Sequence, residues 1–166
     1  MIASPRSGLN MVMIHEKLTV RCAYDRAAKY LVPSLDDLTA SIGGAPGVIR
    51  LTLPLEEVGL PGGLALSKDV NAHFVPIQGQ DEGSKFTAVH LTPVGGGPFP
   101  QLLGLLGIER DERPETCTLV LEGSYDPPFG IVGDALDAVA GRKVAKSSAR
   151  ELLKTLARAL AARCRQ

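Results

Sequence analysis

Three histidines and three cysteines are the side chains of this 166-residue chain best suited to chemistry. His15-Glu16 opens like a zinc-protease motif, but the second histidine such a motif needs falls on Thr19. His73 and His90 lie in different strand-like runs. On paired strands they could offer two imidazole nitrogens to a metal, with no third ligand in evidence. Cys22, Cys117 and Cys164 are too widely spaced for a zinc site or a disulfide framework, and they read as reduced thiols of a cytoplasmic protein. No Gly-x-Ser-x-Gly elbow occurs, so serine hydrolysis lacks its usual turn. Gly43-Gly44 and Gly95-Gly96-Gly97 are not followed by Gly-Lys-Ser/Thr, so they read as turn glycines rather than a phosphate cradle. Asp134 and Asp137 share a helix face and suit the dipole of a first helical turn. Asp36-Asp37, Glu56-Glu57 and Asp111-Glu112 fall in loops or helix starts and read as solvated. The sequence therefore predicts no catalytic constellation, no metal and no cofactor.

What remains are polar groups that could orient an apolar molecule. His90 alternates with Phe86 and Ala88, and so shares their face. Tyr125 closes a strand with a hydroxyl able to reach inward. Arg50 interrupts the apolar run Val48-Ile49-Leu51. For each, the competing reading is a side chain that points outward or is satisfied within the core.

The elements that would position these groups follow from periodicity. Alternation over His15–Tyr24 predicts a strand with Leu18, Val20, Cys22 and Tyr24 on one face. Asp25 can cap a short helix that Pro33 stops, and Ser34-Leu35-Asp36-Asp37 opens a second that runs to about Ile42. Gly43–Gly47 is a break. Strands follow over Val48–Leu53, Leu64–Ile77, Lys85–Thr92, Gln101–Arg110 and Glu115–Tyr125, with a seventh considered near Leu55–Leu60. Gln80–Ser84 and Asp111-Glu112-Arg113-Pro114 are polar turns, and short turns between successive strands imply an antiparallel sheet. After Asp126-Pro127-Pro128, a cap followed by first-turn prolines, apolar residues recur every three or four positions through Leu152, Leu153, Leu156 and Leu160. One long amphipathic helix needs a sheet to cover.

Composition limits the class. Lys and Arg total 18, as do Asp and Glu, so nothing draws the chain to nucleic acid. The chain is 45% hydrophobic but only 4% aromatic, with no Trp, so the core is aliphatic. No apolar run is long enough to span a membrane. Residues 1–12 read as a disordered lead-in to a single domain over 13–166.

The order is strand, two short helices, a run of antiparallel strands and one long C-terminal helix. It resembles the α+β helix-grip fold of the SRPBCC superfamily. These START-like proteins include birch-pollen-allergen-like proteins and polyketide cyclases. The likeness rests on Phe86–Pro93, Gly97-Pro98-Phe99-Pro100, Leu119–Pro128 and the helix over Gly130–Leu153. It is similar to bacterial members in its first pieces. One departure is Gly43–Gly47, where many members carry a Trp-containing aromatic segment.

The resemblance implies a curved sheet of six to seven strands around the helix, with a small hydrophobic or lipid-like molecule bound non-covalently between them. His90, Tyr125, Phe86, Phe99, Phe129 and Arg50 are the expected ligand contacts. Small residues on the first half of the helix (Ala135, Ala138, Ala145, Ser148, Ala149) place the expected cavity near the helix start. Two alternatives stand beside this reading. One is a cyclase- or dehydratase-like enzyme using His90 or Tyr125 as acid/base. The other is an interaction module without a cavity. A homodimer is left open. The fold also brings the first and last strands together, so Cys22 and Cys117 are expected to be close but reduced.

Overall fold

The computed structural model describes residues 12–31, 35–43, 47–54, 56, 63, 65–80, 84–95, 101–126 and 135–166. Strand β1 (Val12–Val20) leads into helices α1 (Tyr24–Leu31) and α2 (Leu35–Gly43). Strands β2 (Val48–Pro54), β3 (Ala65–Pro76), β4 (Ser84–Pro93), β5 (Gln101–Arg110) and β6 (Cys117–Asp126) follow, and helix α3 (Ala135–Cys164) ends the fold. The expected prolines at the helix start, and the seventh strand considered near Leu55–Leu60, lie outside the described residues.

The six strands form one antiparallel sheet in the order β1-β6-β5-β4-β3-β2. Four of the five pairings join consecutive strands, as short turns demand. The exception is β1, which crosses to pair with β6 from Val12↔Tyr125 to Val20↔Cys117. The sheet is open, yet α3 packs against both of its edge strands, β1 and β2, as well as β6. A sheet whose two edges both reach one helix must curl around it.

Each element follows from its pattern. In β2, Ile49, Leu51 and Leu53 are buried while Arg50 and Thr52 are exposed, the period-two alternation of a half-buried strand. In α1, buried Tyr24, Ala27 and Leu31 fall on one helical face. In α3, Ala145, Ala149, Leu152, Leu156 and Leu160 are all fully buried, and Lys143, Lys146, Arg150, Lys154 and Arg158 are exposed. The turn before β6 is closed by Asp111, whose carboxylate accepts from Glu112 N at 2.8 Å and Thr116 Oγ1 at 2.9 Å. Gly104 faces Gly123 across β5 and β6, and a Cβ on either would run into the backbone of the other strand.

Two expectations are corrected. The first strand ends at Val20, so Cys22 lies in a bend and Tyr24 opens α1. The second correction follows from the first. Off the sheet, Cys22 is carried away from Cys117 and meets the end of α3, where it is bonded to Cys164 with Cα atoms 5.7 Å apart. Cys117 alone is a free thiol, and it is buried. The free-thiol argument for a cytoplasmic location thus loses two of its three cysteines. No described helix is long and apolar enough to cross a membrane.

Candidate functional site

The concave face of the sheet is set by strand parity. It carries Ile14, Leu18 and Val20 from β1, Val70 and Ala72 from β3, and Thr87, Val89 and Leu91 from β4. From β5 and β6 come Leu102, Leu106, Ile108, Leu119, Leu121 and Tyr125. Helix α3 closes on this face from β1, β6 and β2, while α1 covers β5 at the end where β1 runs into the helices. The inward side chains of β4 are buried although α3 makes its main sheet contacts elsewhere.

This interior is apolar with few exceptions. Tyr125 is 1% exposed and Thr87 1%, and Ser148 of α3 is 5% exposed beside Ala145 and Ala149. None of the three hydroxyls has a hydrogen-bond partner. A buried hydroxyl left unpaired costs free energy, and these three lie on both the sheet and the helix. Burial drives the Tyr125 hydroxyl pKa well above its ordinary value, so it stays protonated as a donor. A fourth unpaired hydroxyl, Tyr24 Oη, belongs to α1, where the Arg110 guanidinium lies 4.4 Å from the ring centroid.

Charges also occur on this face: Lys68 and Lys85 are half-buried cross-strand partners of the buried Leu51 and Ile108. Glu16 of β1 accepts from Arg150 Nε at 2.9 Å and sits 3.8 Å from Lys146 Nζ. Both cations belong to α3, so the carboxylate is neutralised by the helix it touches and is not offered to a ligand.

The expected contacts divide sharply. Tyr125 is inside. His90 and Phe86 are on the convex face, because the buried residues of β4 are Thr87, Val89 and Leu91 and the strand alternates. Phe86 lies over Gly107 of β5, where any Cβ would collide with its ring. The missing side chain at Gly107 is what lets a phenylalanine lie flat on the outer surface. Arg50 also points outward, where it donates to Asp69 Oδ1 at 2.8 Å and Oδ2 at 3.1 Å. That pair holds the Asp69 carboxyl below its ordinary pKa through hydrogen bonding to Arg50. Phe99 and Phe129 lie outside the described residues, as do the side chains of Ala135 and Ala138. The buried polar residue that β4 turns inward is Thr87. The run Thr87-Val89-Leu91 carried the signal, since two of its members are β-branched and the third is leucine, a better inward set than Phe86-Ala88-His90. No cluster of three or more metal-ligating side chains occurs among the described residues.

No family model matches the chain, and no curated protein matches it. Solved structures do. The crystal structure of Ara h 8.0201 aligns with a TM-score of 0.50 over 92% of this chain and 97% of that one, at 12% identity. The fold is a helix-grip fold, a curled antiparallel sheet around a C-terminal helix. A START superfamily protein from Mycobacterium smegmatis aligns over 93% of this chain and 97% of its own, with a TM-score of 0.46 and 15% identity. Norcoclaurine synthase from Thalictrum flavum aligns over 87% and 95%, with a TM-score of 0.36 and 16% identity. At these identities the helix-grip likeness speaks for the path of the chain and not for any shared ligand.

Proposed function

We propose that the chain binds a small, largely apolar, uncharged molecule between the concave face of the sheet and α3. The observation that carries this reading is the set of buried hydroxyls without partners, Tyr125, Thr87 and Ser148, on the two surfaces that face each other. An aliphatic wall with a few convergent polar groups is what a site for such a molecule needs. The ligand is read as uncharged because the fully buried polar groups without partners are neutral hydroxyls, the inward carboxylate of Glu16 is already paired, and Lys68 and Lys85 on the same face are only half-buried. Tyr125 donates and the ligand accepts. Zero net charge gives no field to favour a phosphate backbone as an alternative partner.

The acid/base alternative is weakened at its histidine, since His90 is exposed on the other face. Native mass spectrometry of the freshly purified chain tests binding directly, and the same spectrum reads whether it is a homodimer. A co-purified small molecule, or displacement of a fluorescent apolar dye by added neutral lipids, is the expected result. Thr87→Val and Tyr125→Phe should each weaken dye binding several-fold without unfolding the chain. A chain that carries nothing and binds no dye favours the interaction-module reading.

A further inference from the structure

We propose that His73 and His90 form a two-histidine chelating site on the convex face for a divalent transition-metal ion, copper(II) above all. The two residues are direct partners in the β3–β4 register. Both are exposed and both point away from the concave face, which β3 serves with Val70 and Ala72 and β4 with Val89 and Leu91.

The ladder fixes which kind of pair they are. Val94 N donates to Asp69 O at 3.0 Å, so the odd-numbered positions of β3 lie at hydrogen-bonded pairs. The same parity places Pro76 and Pro93, which have no N–H to give, at the non-hydrogen-bonded pairs Pro76↔Thr87 and Val70↔Pro93. His73↔His90 is therefore a hydrogen-bonded pair, whose backbone is held from both sides and whose Cα atoms lie about 5.5 Å apart. Two imidazoles that rise side by side from such a pair can both reach one ion at the usual metal–nitrogen distance of about 2.0–2.1 Å.

Both rings are available. Among the described residues neither histidine has a hydrogen-bond or ion-pair partner, whereas His15, on the same face, has its Nδ1 2.8 Å from Glu122 Oε1. Among the described residues, the neighbouring outward positions are Val75 and Ala88 on one side, Asn71 and Thr92 on the other, and Leu103 across on β5. None is a carboxylate or thiolate. Asp69, further along β3, is held by both nitrogens of Arg50. The site thus supplies two neutral nitrogens and leaves the remaining positions to water. Such a donor set disfavours calcium and magnesium, which want oxygen, and among first-row divalent ions favours copper(II). The ion would clip β3 to β4 on the face opposite the proposed ligand site, so the two sites are independent.

The test is calorimetric titration of copper(II) chloride into the tag-free full chain after chelator treatment and desalting. One ion per chain is expected, with an electron paramagnetic resonance spectrum showing two imidazole nitrogens. His73→Ala and His90→Ala should each weaken binding by about tenfold or more. His15→Ala should leave it unchanged. All three positions are exposed, so unchanged melting curves without metal show that the variants fold. No binding by the wild-type chain overturns the site, as does a His73 or His90 variant with wild-type affinity. An equal loss from His15→Ala also overturns it.

Discussion

Glu16 in the middle of β1 is gripped by Arg150 in the middle of α3, with Nε 2.9 Å from Oε2 across 134 residues of sequence. The carboxylate side chain is 11% exposed and the arginine 50% exposed. The pair ties the middle of the helix to the sheet edge. Lys146, one turn earlier on α3, reinforces it at 3.8 Å.

Arg150→Ala should therefore cost more than an ordinary surface change, about 1–2 kcal/mol, because it leaves a mostly buried carboxylate with only the more distant lysine. Glu16→Gln in the Arg150→Ala background should cost little further. A double-mutant cycle by urea unfolding measures the coupling, and strictly additive effects would show that the pair does not hold the helix.

The apolar stripe of α3 makes a second, sharper contrast. Leu156 is fully buried, whereas Lys154 is exposed and pairs with Glu151 of its own helix, at 2.8 Å. Leu156→Ala should destabilise by about 2–5 kcal/mol, the range for a leucine removed from a packed core. Lys154→Ala should stay within about 0.5 kcal/mol. Equal shifts in the two urea midpoints would contradict the helix orientation.

The architecture was largely legible because each strand and the last helix carry their own period, and short polar turns leave consecutive strands little choice but to pair. The faces were harder to read. In β4 both faces carry apolar residues, Phe86 and Ala88 outward against Val89 and Leu91 inward, so hydrophobicity alone does not choose. The choice is made by Gly107 on the neighbouring strand, a long-range fact that no window around Phe86 contains. Arg50 was legible in principle, since Ile49, Leu51 and Leu53 alternate cleanly around it. Tyr125 lies inward because it continues the parity of Leu119 and Leu121. The sulfur pairing was not legible, because it depends on where β1 stops and on where a 30-residue helix ends.

The Cys22–Cys164 bond closes a loop with a sequence separation of 142, tying the start of α1 to the last residue of α3. Arg26 Nη1 donates to the Cys164 carbonyl at 2.7 Å and secures the same helix end. In the unfolded chain so long a loop is a strong constraint, and its loss should cost about 2–5 kcal/mol. Thiol titration of the denatured, unreduced chain should find a single free group, Cys117. Three titratable thiols would show the bond absent and restore the expectation of a reduced protein. The Cys22→Ser variant should melt lower than wild type in buffer and match it in the presence of a strong reductant.

Burial of Cys117 and Tyr125 sets the alkaline edge of stability. Desolvation, with a smaller push from Asp111, raises the Cys117 thiol from 9.0 to about 11, and desolvation raises the Tyr125 hydroxyl further still. Both groups are neutral in the fold when protonated. Between pH 9 and 11 the unfolded chain gives up the Cys117 proton while the folded chain keeps it, so the unfolded state gains and stability falls. Above about pH 10 the unfolded tyrosine adds a second loss of the same sign. The contribution is fully present below pH 9 and shrinks as pH rises through the folded values. Urea midpoints measured from pH 7 to 11 should therefore fall steeply above pH 9. Cys117→Ala should flatten the fall between 9 and 11, and Tyr125→Phe should flatten it above 10. At pH 7 the Tyr125→Phe variant should be as stable as wild type or slightly more so, because the hydroxyl it removes is buried without a partner. A clear loss of stability at pH 7 would mean that the Tyr125 hydroxyl is bonded inside the protein, and the proposed donor to a ligand would be lost with it.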